Sequence, residues 1–224
     1  MPRETCHPWL SQLEPVNLAR GQVLREPGRI QPHVYFPTTA IVSLLHVTLE
    51  GGSVESAVIG PEGMVGLSLC MGGESATHQA VVQNPGQGLR LRSRAFQELF
   101  SRSQTGRRVL LRYAQALITQ MSQTVVCNRH HGVDQQLCRC LLMRLDRMPG
   151  QPLQMTHAQI SGLLGVRREG VTEHAHQLQN AGLIRYARGH IEVLDRAGLE
   201  RRVCECYLVV RREYDRLLHT AMKA

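Results

Sequence analysis

Residues 153–193 read LQMTHAQISGLLGVRREGVTEHAHQLQNAGLIRYARGHIEV, and this stretch decides the fold. Thr156 stands before a helical run and Gln159 follows three residues later, the pair that closes a capping box. Ile160, Leu163 and Leu164 recur at helical spacing, and Gly165 supplies the tight turn that ends the run. A second helix is expected over residues 167–180. Its apolar positions, Val171, Ala175 and Leu178, fall at i, i+4 and i+7 and face a core. Gly182 closes that helix, as glycine commonly does just past a C-terminus. The remainder reads as a small β-hairpin wing, so the unit is a winged helix-turn-helix.

The outward face of the second helix carries the chemistry. Arg168, Thr172 and His176 form one i, i+4 row, and Glu169 and Glu173 form another. A helix with a polar outer face fits the major groove, where base edges differ in donor and acceptor pattern. Arg168 matches the O6 and N7 of guanine as a bidentate fork, and Glu169 can accept from cytosine N4. Arg185, Arg188 and His190 on the wing, with Thr156, Arg167 and His176 around the helix, are candidate phosphate contacts. Gly170 costs about 1 kcal/mol relative to Ala inside a helix. Either another helix crowds it or DNA backbone approaches it there, and crowding is the reading adopted. The alternative for the whole face is an ordinary solvated surface. The order of turn, helix and basic wing favours DNA.

The segment GVRREGVTEHAHQLQNAGLI, residues 165–184, resembles the recognition helix of the Crp/Fnr family of bacterial transcription regulators. The resemblance extends over nearly the whole chain and is strongest over residues 135–194. It implies a cyclic-nucleotide-type β-roll sensor first, a long dimerisation helix next and a winged helix last. Arg168 and Glu169 match the family's base-reading Arg–Glu pair, and Thr172 and Glu173 match its later base-contacting turn. The cyclic AMP receptor branch has a second arginine where this chain has Glu173, so no operator sequence is implied. The implied partners are a two-fold-related DNA site, a second copy of the chain, RNA polymerase and an unidentified small-molecule effector.

The chain has 224 residues, enough for two small domains, and 42% apolar residues, enough for real cores. A net charge of +8 favours a polyanionic partner without naming it. No apolar run approaches the ~18 residues of a membrane span, and the opening MPRETCHPWL lacks a signal-peptide core. A cytoplasmic protein is therefore expected. Seven cysteines (6, 70, 127, 138, 140, 204 and 206) include two Cys-x-Cys pairs. Both pairs fall on expected helices, where i and i+2 point apart, which suits neither zinc nor a disulfide. Structural thiols are expected.

Residues 1–104 are expected to form the sensor. A short opening helix over residues 1–18 presents Trp9, Leu10 and Leu13. Short strands follow around Val23–Leu24, His33–Phe36, Ala40–Val47, Val54–Ile59, Gln79–Gln83 and Gly88–Arg92, with a turn at Gly51–Gly52. This spacing indicates an antiparallel roll or jelly-roll barrel, making the fold class α+β. Residues 60–73, GPEGMVGLSLCMGG, partly resemble the glycine-rich phosphate and ribose loop of cyclic-nucleotide binders. Glu62, Gly63, Met64, Gly66, Thr77 and His78 are the pocket residues this resemblance implies. The family's phosphate-binding arginine is missing after Gly73, so cyclic AMP is not expected to bind in the usual way. An iron–sulfur sensor needs four clustered thiolates and is not expected. A haem sensor would rest on Pro2 and His78 alone and is not adopted. His33 and His46 are too isolated for a cupin-type metal site.

Residues 105–132 form the expected dimerisation helix. Leu110, Ala114, Leu117, Met121, Thr124 and Asn128 alternate spacings of four and three, a heptad seam. Asp134 is expected to cap a helix over residues 135–147, and Asp195 a final helix running to Leu218. Residues 133–224 make up the DNA-binding domain. The readings from other classes are a jelly-roll enzyme and a small-molecule sensor with a vestigial helix-turn-helix. Neither a converging acid–base set nor a metal set for an enzyme is present in the sequence, so no enzymatic activity is expected.

Overall fold

The computed structural model describes residues 9–148, 150 and 152–219. Pro2 and Cys6 lie outside the described residues. The N-terminal half is built from seven strands in two antiparallel sheets. They are β1 (Glu14–Leu18), β2 (Val23–Arg25), β3 (His33–Pro37), β4 (Ile41–Val47), β5 (Ser53–Ile59), β6 (Gln79–Asn84) and β7 (Gly86–Arg92). One sheet has the order β1-β7-β3 and the other β2-β6-β4-β5. Leu18, Val34 and Leu91 from the first and Leu44, Ile59, Ala80 and Val82 from the second are buried together. Each of these leucine, isoleucine and valine side chains contributes about 1.5–3 kcal/mol when fully buried. The β4–β5 hairpin turns at Gly51 and Gly52, as the sequence indicates, with Gly51 at φ 83°.

The opening segment departs from expectation. Trp9 and Leu10 are helical, but Glu14–Leu18 is strand β1, paired with β7 from Glu14↔Arg90 to Leu18↔Gly86. A five-residue strand containing Pro15 tolerates that proline because it lies at a sheet edge. Its pairing partner is distant in sequence, so no local pattern announces it.

Helix α1 (Ser93–Arg102) leads into α2 (Gln104–His130), which spans about 40 Å at 1.5 Å per residue. Ser103 caps α2 by accepting from Gly106 N at 3.0 Å. Helix α3 is Val133–Leu145. Gly132 is its N-cap and Asp134 lies in its first turn, so Asp134 is not the cap. The C-terminal unit continues with β8 (Leu153–Gln154), α4 (His157–Leu164), α5 (Arg168–Asn180), β9 (Ile184–Ala187) and β10 (His190–Val193). These three strands form a sheet of order β8-β10-β9.

The expected single final helix is two. Helix α6 (Arg196–Arg202) is capped by Asp195, which accepts from Gly198 N at 2.8 Å. The chain is extended at Val203 and Cys204 before α7 (Glu205–Tyr214) begins. A π turn, Asp215–His219, follows.

The N-terminal roll and the C-terminal unit are tied together by buried polar contacts. Arg144 on α3 pairs with Glu55 on β5 at 2.6 Å, and Arg147 pairs with Glu62 at 2.7 Å. Gln120 on α2 accepts from Val58 N at 3.2 Å and donates to Val58 O at 3.1 Å and to the Tyr214 hydroxyl at 2.9 Å. Ser53 Oγ donates to Gly162 O at 2.9 Å.

Candidate DNA-binding face and sensor cavity

The turn forms as its residues dictate. Thr156 and Gln159 make a complete capping box, with Thr156 Oγ1 accepting from Gln159 N at 3.2 Å and Gln159 Oε1 accepting from Thr156 N at 2.9 Å. Gly165 takes φ 68°, the left-handed conformation that ends α4 cheaply for glycine. Val171, Ala175 and Leu178 of α5 are buried as their spacing requires. Gly182 at φ 71° and the bond from Leu183 N to Leu178 O at 3.0 Å close α5 in a Schellman arrangement.

Arg168, Glu169, Glu173 and His176 are exposed on the outer face of α5. None of them forms an ion pair among the described residues. Thr172 is half-buried: its hydroxyl donates to Arg168 O at 3.0 Å and lies 3.0 Å from His157 Nδ1. His157 in turn stacks on Tyr186 of the wing, with ring centroids 4.1 Å apart. Thr172 therefore fixes α5 against α4 and the wing. The crowding expected at Gly170 is absent, because a Cβ there would meet no atom within 4 Å.

Arg167 is the N-cap of α5 and exposed. Arg185, Arg188 and His190 are exposed on the wing, and Arg185 pairs with Glu192 at 3.0 Å. Arg188 and Gly189 form the two-residue turn between β9 and β10, at φ 47° and φ 81°. Both positive angles suit a type I′ turn, which normally takes Asn-Gly or Gly-Gly. An arginine held there costs roughly 1–2 kcal/mol of backbone strain and carries a cation at the wing tip.

A cavity of about 300 Å³ in the roll is lined by Arg25, Leu44, Ile59, Met64, Gly66, Thr77 and His78, with Leu117, Ile118 and Met121 of α2. Met64, Gly66, Thr77 and His78, named in the sequence reading, line this cavity. Glu62 and Gly63 do not. Glu62 is drawn out of the cavity by Arg147, and Gly63 packs so closely on Tyr113 that a Cβ would lie 2.4 Å from its hydroxyl. Arg25, which the sequence reading passes over, is a cavity cation supplied by β2. It is 5% exposed, contacts the Nε2 of His78, and lies 3.4 Å from Gln31 Oε1. Burial holds its guanidinium down to about 10. Burial, then Arg25, then His46 push the His78 imidazole down to about 4, which keeps it neutral.

Most of the expected seam positions face the chain's own core. Ala114, Leu117 and Thr124 are buried within the chain itself, and Thr124 Oγ1 accepts from Arg139 at 2.7 Å. Leu110 and Met121 are half-buried and pack against the same core, whereas Asn128 is exposed. The apolar residues that α2 leaves open are Leu111, Ile118, Val125 and Val126, and the first three repeat every seven residues. The sequence carries two apolar stripes on one helix, and the richer one serves the roll.

The cysteine expectation is also corrected in part. Cys138 and Cys140 lie within α3, as expected. Cys204 is the N-cap of α7, in extended backbone, so it and Cys206 are not at i, i+2 of one helix.

No helix among the described residues is long and apolar enough to cross a membrane. A cyclic nucleotide-binding domain profile matches residues 15–103, and a Crp-like helix-turn-helix domain profile matches residues 135–202. No curated protein is significantly similar in sequence. Similar solved structures include a crp/fnr-family transcriptional regulator from Eubacterium rectale, at TM-score 0.70 and 15% identity, covering 90% of this chain and 94% of that one. FixK2 from Bradyrhizobium japonicum is similar at TM-score 0.71 and 15% identity, over 86% and 98% of the two chains. TTHA1359, a CRP/FNR-family transcriptional regulator from Thermus thermophilus, is similar at TM-score 0.66 and 21% identity, over 84% and 97%. With a cyclic-nucleotide-type roll, a long connecting helix and a Crp-like helix-turn-helix in that order, the chain belongs to the CRP/FNR family of transcriptional regulators.

Proposed function

We propose that this regulator binds DNA as a homodimer and reads a two-fold-related operator, one half-site per α5 helix. The observation that carries this reading is the outer face of α5. Arg168 and Glu169 project from it without ion-pair partners among the described residues, beside a wing tipped by Arg188. Base reading falls to Arg168, Glu169, Thr172 and Glu173. Phosphate contact falls to Thr156, Arg167, His176, Arg185, Arg188 and His190. The dimer forms along Leu111, Ile118 and Val125, the exposed heptad positions of α2, with Met121 at its margin. The proposed units are residues 1–104 for the sensor, 105–132 for the dimerisation helix and 133–224 for the DNA-binding domain. The protein acts in the cytoplasm, together with RNA polymerase, and not as an enzyme.

The cavity does not hold cyclic AMP in the family's usual way, in this reading. The glutamate of the glycine-rich loop is committed to Arg147, and the cation lining the cavity comes from β2 rather than from the segment after Gly73. An effector with an anionic group would meet Arg25. It would also touch Leu117 and Ile118 of α2, the second a residue of the proposed seam. A ligand acts there only through different affinity for two arrangements of the dimer.

A mobility-shift comparison of wild type and Arg168→Ala tests the base-reading assignment. Loss of about 1–3 kcal/mol at the preferred site, with random DNA bound as before, supports it. Equal weakening on both would make Arg168 a phosphate contact.

A further inference from the structure

Four side chains far apart in sequence converge where the long helix ends. Cys127 lies in the last turn of α2, and His131 is that helix's C-cap. Cys204 and Cys206 come from the break between α6 and α7 and from the first turn of α7. Their Sγ and ring-nitrogen atoms all lie within 4.8 Å of one another. Cys127 Sγ is 3.6 Å from Cys204 Sγ, and Cys206 Sγ is 3.6 Å from His131 Nδ1. All three cysteines are buried, at 0%, 3% and 0% exposure, in a cluster of their own apart from the main core.

We propose that Cys127, His131, Cys204 and Cys206 bind one Zn²⁺ ion in a tetrahedral site of three thiolates and one imidazole. Around one zinc, with Zn–S about 2.3 Å and Zn–N about 2.0 Å, tetrahedral ligand atoms stand roughly 3.5–3.8 Å apart. The two 3.6 Å separations meet that requirement. A multinuclear iron–sulfur cluster needs its thiolates spread wider, around several irons. Thiolate and imidazole donors together select zinc over the hard cations.

Two further features answer to a metal and not to a plain packing of thiols. His131 turns Nδ1 toward Cys206, while its Nε2 lies 3.4 Å from Glu205 Oε2. A metal-binding histidine characteristically gives its other N–H to a carboxylate, which fixes the ring and its tautomer. Arg139 is 9% exposed, donates to the neutral Thr124 hydroxyl, and has no carboxylate partner among the described residues. Its Nε is buried without a hydrogen bond. A buried guanidinium without a counter-charge is costly. Three thiolates around a dication leave one negative charge, and Arg139, near enough to Cys127 and Cys206 to bias both electrostatically, supplies the balancing positive one. Metal entry displaces three thiol protons and needs no oxidant or reductant. The site fastens the end of α2 to the start of α7, so occupancy stiffens the junction between the dimer helix and the DNA-binding unit.

The test uses the full chain, purified under reducing, anaerobic conditions, with metal content measured by mass spectrometry. A second sample is stripped and reloaded with Co²⁺. One zinc per chain is expected, and the Co²⁺ form should show thiolate charge-transfer absorption with the intense visible bands of a tetrahedral site. Cys127→Ser and Cys204→Ser should lower metal content at least tenfold, and Cys70→Ser should leave it unchanged. His131→Cys keeps four ligands, so it separates loss of metal from loss of fold: it should retain the ion and strengthen the charge-transfer band. Overturning results are a reduced, folded chain that takes up neither Zn²⁺ nor Co²⁺, bound iron with acid-labile sulfide, Cys204→Ser with full metal content, or a His131→Cys spectrum identical to wild type.

Discussion

Arg144 Nη2 donates to Glu55 Oε2 at 2.6 Å, a pair that joins helix α3 of the C-terminal unit to strand β5 of the sensor roll. The guanidinium is completely buried and also donates to Cys140 O at 3.2 Å. Ser43 Oγ donates to the same carboxylate oxygen. This pair and its neighbour, Arg147–Glu62, are direct polar contacts between the roll and the C-terminal unit.

Glu55→Ala removes the carboxylate and strands Arg144 in a dry interior. Loss of one partner of a buried pair typically costs about 3–5 kcal/mol. Urea denaturation should show that loss. A change below about 1 kcal/mol would mean that water or a shifted side chain solvates Arg144, and that the pair is not a clamp.

Gly170→Ala separates stability from recognition. Ala is favoured by about 1 kcal/mol inside a helix, and nothing stands within 4 Å of the added Cβ. The variant should raise the denaturation midpoint. If DNA backbone passes close to this position in the complex, affinity for DNA should fall at the same time. Greater stability with undiminished DNA binding would show that no close approach occurs there.

At the wing tip, Arg188→Asn keeps a residue that tolerates positive φ and removes the cation. Folding stability should hold or rise slightly. Affinity should drop on all sequences alike, and the slope of log affinity against log salt should flatten by about one unit. An unchanged slope places the wing outside the DNA interface.

Ile118→Glu sets a carboxylate at the centre of the exposed heptad row, which a two-fold axis would bring face to face with its own copy. Light scattering should report a monomer at concentrations where the wild type is dimeric. The same substitution at Leu117, buried inside the chain, should instead lower stability. A dimer that survives Ile118→Glu would require a different interface.

The DNA-binding unit is the most legible part of the chain because its signals are local. Thr156 and Gln159, Gly165 and Gly182 each specify a cap or turn within a few residues, and Val171, Ala175 and Leu178 specify one face. Strand β1 is not legible, since its five residues take their conformation from β7, more than sixty positions later. Periodicity shows that α2 carries apolar stripes but not what covers each, so it points to Leu117 as a seam residue and passes over Ile118. Glu62 follows the family's motif, while its partner in the structure, Arg147, lies in another unit. Cys127 and Cys204 approach each other only because α7 packs back along α2. The helix break that frees Cys204 leaves no mark in an otherwise continuous apolar stripe.

Selection of bound duplexes from a random pool by the full-length protein tests the central claim most directly. The account predicts enrichment of an inverted repeat whose half-sites are centred about one helical turn, roughly 10–10.5 bp, apart. It also predicts that Arg168→Ala relaxes the same position in both halves. Enrichment of a single unrepeated site, or of no sequence at all, would contradict it.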